Sequence, residues 1–234
     1  MKILKQLKQV WPAPNCVLCE AVSDNPLSLC TACQQDLPWL LHCCQHCALP
    51  MEDRQKTTCL QCQIEPPVFD EAICALHYST PVDYLIKRMK FGHQLSYAKV
   101  LGSLLAQHLS QMDIASVDAI LPVPLHKSRL RQRGFNQALE LAKDLRKYQD
   151  IPLLKGITRV VNTKAQTLVK GEDRALNLTG AFAIKPGAVL PQHVAILDDV
   201  ITTGSTSNEL AHLLKGAGVA KVSVWAVARA TTSL

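Results

Sequence analysis

The most informative stretch of this chain is residues 194–206, which read Val-Ala-Ile-Leu-Asp-Asp-Val-Ile-Thr-Thr-Gly-Ser-Thr. The apolar start is typical of a strand that is covered on both faces of a parallel sheet. Asp198 and Asp199 come directly after this apolar run, and ligands of open α/β sheets bind outside the carboxyl ends of the strands. The sequence therefore predicts that the two carboxylates lie at a ligand site.

A turn of small residues follows the carboxylates and leads into a predicted helix. It is formed by Thr202, Thr203, Gly204, Ser205 and Thr206. Hydroxyls and consecutive backbone N–H groups can donate to a phosphate, and the positive end of the helix dipole favours the same anion. A carboxylate pair beside such a turn suits a ribose that carries a phosphate group. The simpler alternative is a strand-turn-helix junction with solvated aspartates and a Ser or Thr helix cap.

These residues resemble the motif by which type I phosphoribosyltransferases bind phosphoribosyl pyrophosphate (PRPP). The resemblance implies that Asp198 and Asp199 hold the two hydroxyls of the ribose, and that the turn at 202–206 holds the 5′-phosphate. The second assignment agrees with the anion-binding character of successive backbone N–H groups.

A second candidate segment carries a cluster of cations after another predicted strand, residues 119–123. The residues that we assign to the site are Val123, Pro124, Leu125, Lys127, Arg129 and Arg133. Pyrophosphate needs several fixed donors, and arginine supplies them in a planar fork. Because the segment follows a strand of the same predicted sheet, we interpret it as a pyrophosphate loop. A solvated basic loop is the alternative.

Residues 159–182 form a third candidate segment, which is largely polar and irregular. A long irregular segment in a compact domain often closes over a site. We therefore identify Lys164 and Arg174 as lid cations that can close on phosphate oxygens. Disorder without a function is the alternative.

Two pairs of residues fit either a helix end or a ligand contact. Lys90 and Phe91 lie at the predicted end of a helix before Gly92, where a lysine also complements the helix dipole. Asn136 and Gln137 open another predicted helix. The sequence leaves both interpretations open for each pair.

Strands and helices alternate after residue 68. The pattern predicts strands at 71–78, 119–123, 157–161, 181–184, 194–197 and 220–228, and helices at 81–90, 94–111, 135–147 and 205–215. Such alternation implies an α/β fold whose mostly parallel sheet is flanked by helices. Pro66-Pro67 separates this domain, residues 68–234, from a cysteine-rich region, residues 1–67, that starts with a short amphipathic helix at 1–11.

Eight cysteines of the N-terminal region form four Cys-x-x-Cys turns. They are Cys16, Cys19, Cys30, Cys33, Cys44, Cys47, Cys59 and Cys62. Two such turns complete the tetrahedral shell of a structural zinc ion, so the spacing predicts two zinc ions in a double ribbon. Pairing the first four and the last four is the simplest arrangement, and an interleaved one uses the same residues. A disulfide framework, an iron–sulfur cluster and redox dithiols are the alternatives.

Two cysteines and two histidines remain in or near this region. Cys43 adjoins Cys44 and is an alternative ligand, whereas Cys74 lies in an apolar run and is interpreted as a core thiol. His42 and His46 rank below the eight cysteines as ligands. Because the region has little apolar sequence, we expect zinc to supply its folding free energy, on the order of 10 kcal/mol.

The net charge of +6 is unevenly distributed. Residues 1–70 contain five Lys/Arg and seven Asp/Glu, whereas residues 71–234 contain twenty and twelve. A positive field over the second part attracts a polyphosphate, a nucleotide or a nucleic acid. No apolar stretch is long enough for a membrane span, and the N-terminal stretch lacks the uninterrupted apolar core of a signal peptide.

Together these patterns resemble the ComF family. The resemblance rests on the cysteine ribbons and, in order, on Lys90-Phe91, Pro122-Val123-Pro124-Leu125, Arg133-Gly134-Phe135-Asn136-Gln137, Gln166-Thr167, Asn177 and residues 194–206. It implies a zinc-ribbon domain followed by a type I phosphoribosyltransferase-like domain, a cytoplasmic location, and a role in natural transformation or the use of incoming DNA.

Two classes of function follow from these observations. In the first, the C-terminal domain binds PRPP with Mg²⁺ and acts as a phosphoribosyltransferase on a nucleobase or another amine, in DNA utilisation or nucleotide salvage. In the second, the protein senses PRPP, or binds single-stranded DNA or a protein of the DNA-uptake machinery, without turnover. The ribbons bind either single-stranded DNA or a partner protein, and the sequence leaves both open. Because the ribbon region is acidic, we expect DNA, if it binds, to contact the basic second domain.

Overall fold

A computed structural model describes residues 14–92, 94–147, 150–161 and 180–231. The predicted helix at 1–11 and the lid cations Lys164 and Arg174 lie outside the described residues. The chain divides into two compact units, Met1–Leu37 and Pro38–Leu234. The first unit contains Cys16, Cys19, Cys30 and Cys33, and the second contains Cys44, Cys47, Cys59 and Cys62 together with every strand of the described residues.

The described part of the first unit is a small ribbon built around two cysteine turns. An antiparallel bridge joins Asn15 to Val22, and helix α1, Thr31–Gln35, starts after Cys30. Leu29 and Leu37 are the large aliphatic side chains that are buried here. This ribbon therefore has little apolar core of its own.

The second unit alternates strands and helices. Its helices are α2 (Leu60–Ile64), α3 (Val82–Phe91), α4 (Leu95–Ser110), α5 (Lys127–Arg133), α6 (Gln137–Leu145) and α7 (Ser205–Gly216). Its strands are β1 (Glu71–His77), β2 (Ala119–Pro122), β3 (Ile157–Arg159), β4 (Phe182–Ile184), β5 (His193–Ile201) and β6 (Lys221–Arg229).

Four of these strands form a parallel sheet in the order β1-β6-β5-β2. Leu197 of β5 lies between Trp225 of β6 and Pro122 of β2. Residues 194–197 are fully buried, as expected for a strand that is covered on both faces. Strands β3 and β4 form a separate antiparallel pair. The predicted α/β fold with a mostly parallel sheet and flanking helices is confirmed.

Helices α4 and α6 pack on each other and on the sheet, where α4 contacts β1 and β6 and α6 contacts β2 and β5. Gly102 allows the two helices to approach, because a Cβ at this position would lie 3.0 Å from the Cβ of Asp144 and 3.0 Å from the carbonyl of Leu141. Helix α7 contacts β4 and β6. This packing fixes the carboxyl ends of β2 and β5, from which the chain continues to α5 and α7.

The second cysteine ribbon belongs to the same compact unit as the sheet. Trp39 forms an antiparallel bridge with Leu76 of β1, and the backbone N–H of Leu40 donates to the carbonyl of Ala75 at 2.9 Å. The chain just before this ribbon therefore pairs with the edge of the sheet. The domain division at residues 67 and 68 stays a prediction.

Residues 127–133 form helix α5, where the sequence predicts a loop. The Nδ1 atom of His126 caps the helix by accepting the N–H of Ser128 at 3.3 Å. The helix ends at Gly134, whose φ of 75° is a left-handed conformation that favours glycine. Because α5 has no buried residue, apolar periodicity could not reveal it.

Strand β5 continues to Ile201, beyond its predicted end at Leu197. Strand β6 supplies the partners, since Asp198 lies opposite Ala226 and Ile201 lies opposite Arg229. The two aspartates therefore belong to the paired end of a strand, which fixes their backbone more firmly than a turn would.

Candidate functional site

A cavity of about 160 Å³ lies at the carboxyl end of β5. It is lined by nine residues that the sequence assigned to the site: Leu125, Arg133, Asp198, Asp199, Thr202, Thr203, Gly204, Ser205 and Thr206. Five further residues also line it: Lys90, Gln137, Val200, Ile201 and Ser207. The segments that follow β2 and β5 therefore meet at one cavity.

The rest of the predicted pyrophosphate loop does not line this cavity. Val123 is buried in the core, and its carbonyl accepts the Nδ2 of Asn136 at 3.0 Å. Lys127 is exposed at the start of α5, while Pro124 and Arg129 are partly buried. Ligand contact by any of the assigned residues stays a prediction.

Asp199 is buried and forms an ion pair with a lysine that precedes it by a long stretch of sequence. Its Oδ2 lies 2.8 Å from the Nζ of Lys90, and its side chain is 8% exposed. Burial disfavours the charged form of Lys90, but the attraction of Asp199 outweighs this effect and raises the pKa of Lys90. The pair ties the end of α3 to the end of β5.

Asp198 is partly buried, and its Oδ1 accepts the backbone N–H of Asp199 at 2.8 Å. Burial, followed by repulsion from Asp199, raises the pKa of Asp198 to about 7, although Lys90 acts in the opposite direction. Two carboxylates therefore share one close lysine. A ligand that brings hydroxyl donors or a cation would relieve this excess of negative charge.

Arginines contribute positive charge near the same carboxylates. Burial lowers the pKa of Arg133, an effect that the two aspartates oppose and Arg129 reinforces. Burial and the charge of Arg129 also lower the pKa of Arg159, on β3. The guanidinium of Arg133 lies over the ring of Phe91, 5.5 Å from its centroid. Because these cations repel one another, a polyanion such as pyrophosphate would stabilise them.

The small-residue turn leads directly into helix α7. Gly204 is the N-cap, with a φ of 79°, and its carbonyl accepts the N–H of Asn208 at 2.8 Å. The hydroxyls of Thr203 and Ser205 lie 2.7 Å apart. A turn with exposed hydroxyls at the N-terminus of a regular helix is an arrangement that binds phosphate in many folds.

Gln137 is a cavity residue whose role the sequence left open. Asn136 caps α6, since its Oδ1 accepts the N–H of Ala138 at 3.0 Å. Gln137 is only 4% exposed, and its Nε2 has no hydrogen-bond acceptor among the described residues. The one relevant signal in the sequence is that asparagine is a preferred helix N-cap residue. With Asn136 used as the cap, Gln137 is the residue of this pair that is available to a ligand.

The eight cysteines form two sets of four. Within each set, the sulfur atoms lie within 4.8 Å of one another: Cys16, Cys19, Cys30 and Cys33 in one, and Cys44, Cys47, Cys59 and Cys62 in the other. This is the sequential pairing, and the interleaved one is excluded. The sulfurs of Cys19 and Cys30, and those of Cys47 and Cys59, are 3.7 Å apart.

These distances fit zinc and do not fit disulfides. A tetrahedral ion with Zn–S bonds of about 2.3 Å separates its sulfurs by about 3.8 Å. All ten cysteines are free. The arrangement provides two closed four-cysteine sites of the structural type.

The remaining candidate ligands stand outside the two sets. Cys74 is buried in the core of the sheet unit, against which Cys43 also packs. A ring nitrogen of His42 lies 2.8 Å from the carbonyl of Asp53, and one of His46 lies 3.3 Å from the carbonyl of Asp70. The ranking of the cysteines above the histidines agrees with this geometry.

The chain is similar to several known proteins. Residues 6–75 match the family model described as "Double zinc ribbon domain". Competence protein F of Haemophilus influenzae is 36% identical over 211 residues, which cover 86% of this chain and 90% of that protein. DNA utilization protein YhgH of Salmonella typhi is 32% identical, with the same coverage. Competence protein ComFC of Streptococcus pneumoniae is 25% identical, and the match covers 79% of this chain and 81% of that protein.

The match to a double zinc ribbon agrees with the two four-cysteine sites, and the chain therefore has two structural zinc sites. Among the described residues, no helix is long and apolar enough to cross a membrane. The match to competence protein F covers most of both chains and exceeds 30% identity. The chain belongs to the ComF family.

Proposed function

We propose that this chain binds PRPP together with Mg²⁺ in the cavity at the end of β5. The observation that carries the proposal is that the carboxylate pair, the small-residue turn and Arg133 line one cavity, although they come from two distant segments. PRPP has three groups that match these donors and acceptors: a ribose diol, a 5′-phosphate and a pyrophosphate.

Each part of the ligand has a partner of matching chemistry. Asp198 and Asp199 accept hydrogen bonds from the ribose hydroxyls, and the turn at 202–206 donates to the 5′-phosphate. Arg133 binds the pyrophosphate, and the other cations after β2, Lys127 and Arg129, add to the positive field there. Lys164 and Arg174, which lie outside the described residues, stay proposed as further cations for the phosphate oxygens.

The oxygen donors of the site fit magnesium. Mg²⁺ prefers oxygen ligands and usually binds through one or two carboxylates together with substrate phosphates. Asp198 and Asp199 provide the carboxylates, and their excess negative charge favours a cation. When bound, the ion would neutralise charge on the pyrophosphate.

We further propose phosphoribosyl transfer as the reaction. The bond between the anomeric carbon and the pyrophosphate oxygen breaks, a bond from that carbon to an acceptor nitrogen forms, and the acceptor loses its proton to solvent. Arg133 and its neighbouring cations stabilise the negative charge that develops on the leaving pyrophosphate. The acceptor is a nucleobase or another amine.

The relatives suggest where such a reaction is used. Because they are named for competence and for DNA utilization, we propose a role in taking up or using DNA, in the cytoplasm. Proteins of the DNA-uptake machinery are the proposed partners of the acidic ribbons. Single-stranded DNA, if it binds, contacts the basic residues 71–234. Salt-dependent DNA binding that disappears when the ribbons are deleted would contradict this assignment.

Calorimetric titration with PRPP, with and without Mg²⁺, tests the proposed ligand. We expect the wild type to release or absorb heat on binding, with higher affinity when Mg²⁺ is present. The double variant Asp198→Asn/Asp199→Asn should lose binding. Asp150→Asn is the matched control, because it neutralises an exposed carboxylate outside the cavity.

Absence of binding by the wild type would refute the proposed ligand. If PRPP binds, the release of pyrophosphate across a panel of nucleobases and amines tests the reaction. Binding without release for any acceptor would contradict turnover and favour the alternative, a protein that senses PRPP.

A further inference from the structure

Arg229 is a buried cation at the end of β6, with 6% of its surface exposed. Within the described part of the chain, its guanidinium donates to backbone carbonyls and to no side chain: Nε to Cys47 at 2.9 Å, and Nη1 to Ile201 at 3.2 Å and to Thr202 and Ala230. No salt bridge among the described residues includes it. Since arginine stays charged, its burial is costly unless every donor is satisfied.

The acceptors of Arg229 lie on two functional parts of the same compact unit. Cys47 belongs to the second four-cysteine site. Ile201 ends β5, Thr202 begins the small-residue turn, and both line the cavity in which we propose that the phosphate binds. One side chain thus connects the backbone of a metal ligand to the backbone of the turn.

Zinc gives this contact an electrostatic basis. Four thiolates around one Zn²⁺ carry two net negative charges, and Arg229 donates to the carbonyl of one of the four ligands. The metal also fixes the backbone of that ligand, because Zn–S bonds and Cys-x-x-Cys geometry constrain the turn that contains it. A loaded second ribbon therefore holds the guanidinium in place and supplies a compensating charge.

We propose that Arg229 is a positioning residue that couples zinc in the second ribbon to the shape of the phosphate turn. With zinc bound, Arg229 fixes the carbonyls of Ile201 and Thr202, so the N–H groups and hydroxyls that follow stay ordered for a phosphate. Without zinc, the carbonyl of Cys47 is no longer fixed and the turn loses its support. The inference rests on the proposed function of the turn as the 5′-phosphate site.

Zinc-loaded wild-type protein and Arg229→Gln provide the first test, with zinc content, calorimetry and hydrogen exchange as readouts. The variant should keep two zinc ions per chain. Its affinity for ribose 5-phosphate and for PRPP should fall about tenfold, as expected when a buried charged donor is removed, and the amides of 202–206 should exchange faster. Affinity for inorganic pyrophosphate with Mg²⁺ should not change, because pyrophosphate does not use the turn. Arg54→Gln, which removes an exposed arginine, is the control.

Removal of the metal provides the second test. Cys62→Ser disrupts the second four-cysteine site, and Cys33→Ser disrupts the first and serves as the control. We expect Cys62→Ser to exchange the amides of 202–206 faster than Cys33→Ser does, and to bind ribose 5-phosphate more weakly. If Cys62→Ser does not fold, chelation of Cys33→Ser, in which the second site alone is intact, gives the comparison: hydrogen exchange of 202–206 is measured before and after that ion is removed.

Three outcomes would overturn the coupling. The first is that Arg229→Gln binds ribose 5-phosphate and exchanges the amides of 202–206 as the wild type does. The second is that this variant loses affinity for pyrophosphate and for ribose 5-phosphate equally. The third is that the second ribbon loses its zinc and the amides of 202–206 do not exchange faster. A wild type that binds no PRPP refutes the proposed function instead, and the exchange measurements still decide whether the turn depends on zinc.

Discussion

At the scale of single residues, the cavity contains polar groups whose environment disfavours the unliganded state. Asp198 carries a raised pKa because it is buried and adjoins Asp199. Gln137 has a buried amide nitrogen without an acceptor among the described residues. Groups of this kind cost stability and are retained in proteins chiefly where a ligand uses them.

The first prediction concerns Asp198→Asn and the pH dependence of stability without ligand. A carboxyl in an unfolded chain has a pKa of about 3.9. Since the pKa of Asp198 in the folded protein is about 7, the folded state binds more protons between these values and becomes less stable as the pH rises through this window. Asparagine stays neutral, so the variant should have a higher Tm than the wild type at pH 8, by about 2–4 °C for each kcal/mol regained.

Thermal unfolding of the wild type and the variant at about pH 4.5 and at about pH 8 checks the prediction, because most of the window between the two pKa values lies between these pH values. The gain in Tm should shrink towards the lower pH, where Asp198 is protonated in the wild type. The charged groups that act on it are Asp199, Lys90, Arg133 and Arg159, and all four are retained in the variant. Asp150→Asn should show no such pH-dependent difference. A variant that is less stable than the wild type at the higher pH would contradict the assignment.

The second prediction concerns Gln137→Met, which keeps the length of the side chain and removes its polar group. Because a buried unsatisfied amide costs about 1–3 kcal/mol, the unliganded variant should have a higher free energy of unfolding, by about 1 kcal/mol. The affinity of the variant for PRPP should fall, because methionine cannot donate a hydrogen bond to the ligand. Urea unfolding and calorimetry measure the two effects. Reduced stability together with unchanged affinity would show that Gln137 has an ordinary structural role.

At the scale of elements, two differences from the sequence prediction have identifiable causes. Helix α5 has no buried residue, so its sequence shows no apolar stripe. The helix is bounded instead by the cap at His126 and by the left-handed Gly134. Strand β5 continues past its apolar run because β6 supplies partners as far as Arg229. The sequence predicted the mostly parallel sheet and the four Cys-x-x-Cys turns correctly, since these follow from local patterns, but it left open how the turns pair around the two metal sites. It could not reveal the contacts of Lys90 with Asp199 or of Arg229 with Cys47, which depend on tertiary packing.

The third prediction concerns the end of α5, where Gly134→Ala places a Cβ at a φ of 75°. No atom lies within 4 Å of the new Cβ, so the expected cost of about 1–2 kcal/mol comes from the backbone conformation alone. Arg133, which precedes the glycine, should shift, and affinity for pyrophosphate should fall. Gly216→Ala is the matched control, because its surroundings are equally open and its φ is not positive. Equal effects of the two substitutions on unfolding and on binding would contradict this account.

At the scale of the whole molecule, the two compact units differ in what stabilises them. The sheet unit contains the large apolar core, whereas Leu29 and Leu37 are the buried large aliphatic side chains in the described part of the first unit. Binding of a structural zinc ion supplies on the order of 10 kcal/mol, which is comparable to the whole stability of a small domain. The first unit should therefore fold only with its metal, and the sheet unit should not depend on that ion.

The fourth prediction follows from this difference. Cys33→Ser should retain one zinc ion per chain, and residues 14–37 should lose their protection from hydrogen exchange because they have almost no other core. The amides of β5 and β6 should keep their protection, since their hydrogen bonds lie within the apolar core of the sheet. Metal analysis and hydrogen exchange on the same sample measure both effects. Retained protection of 14–37 with one zinc ion lost would show that the first ribbon folds without metal, and loss of protection in β5 would show that the units do not fold independently.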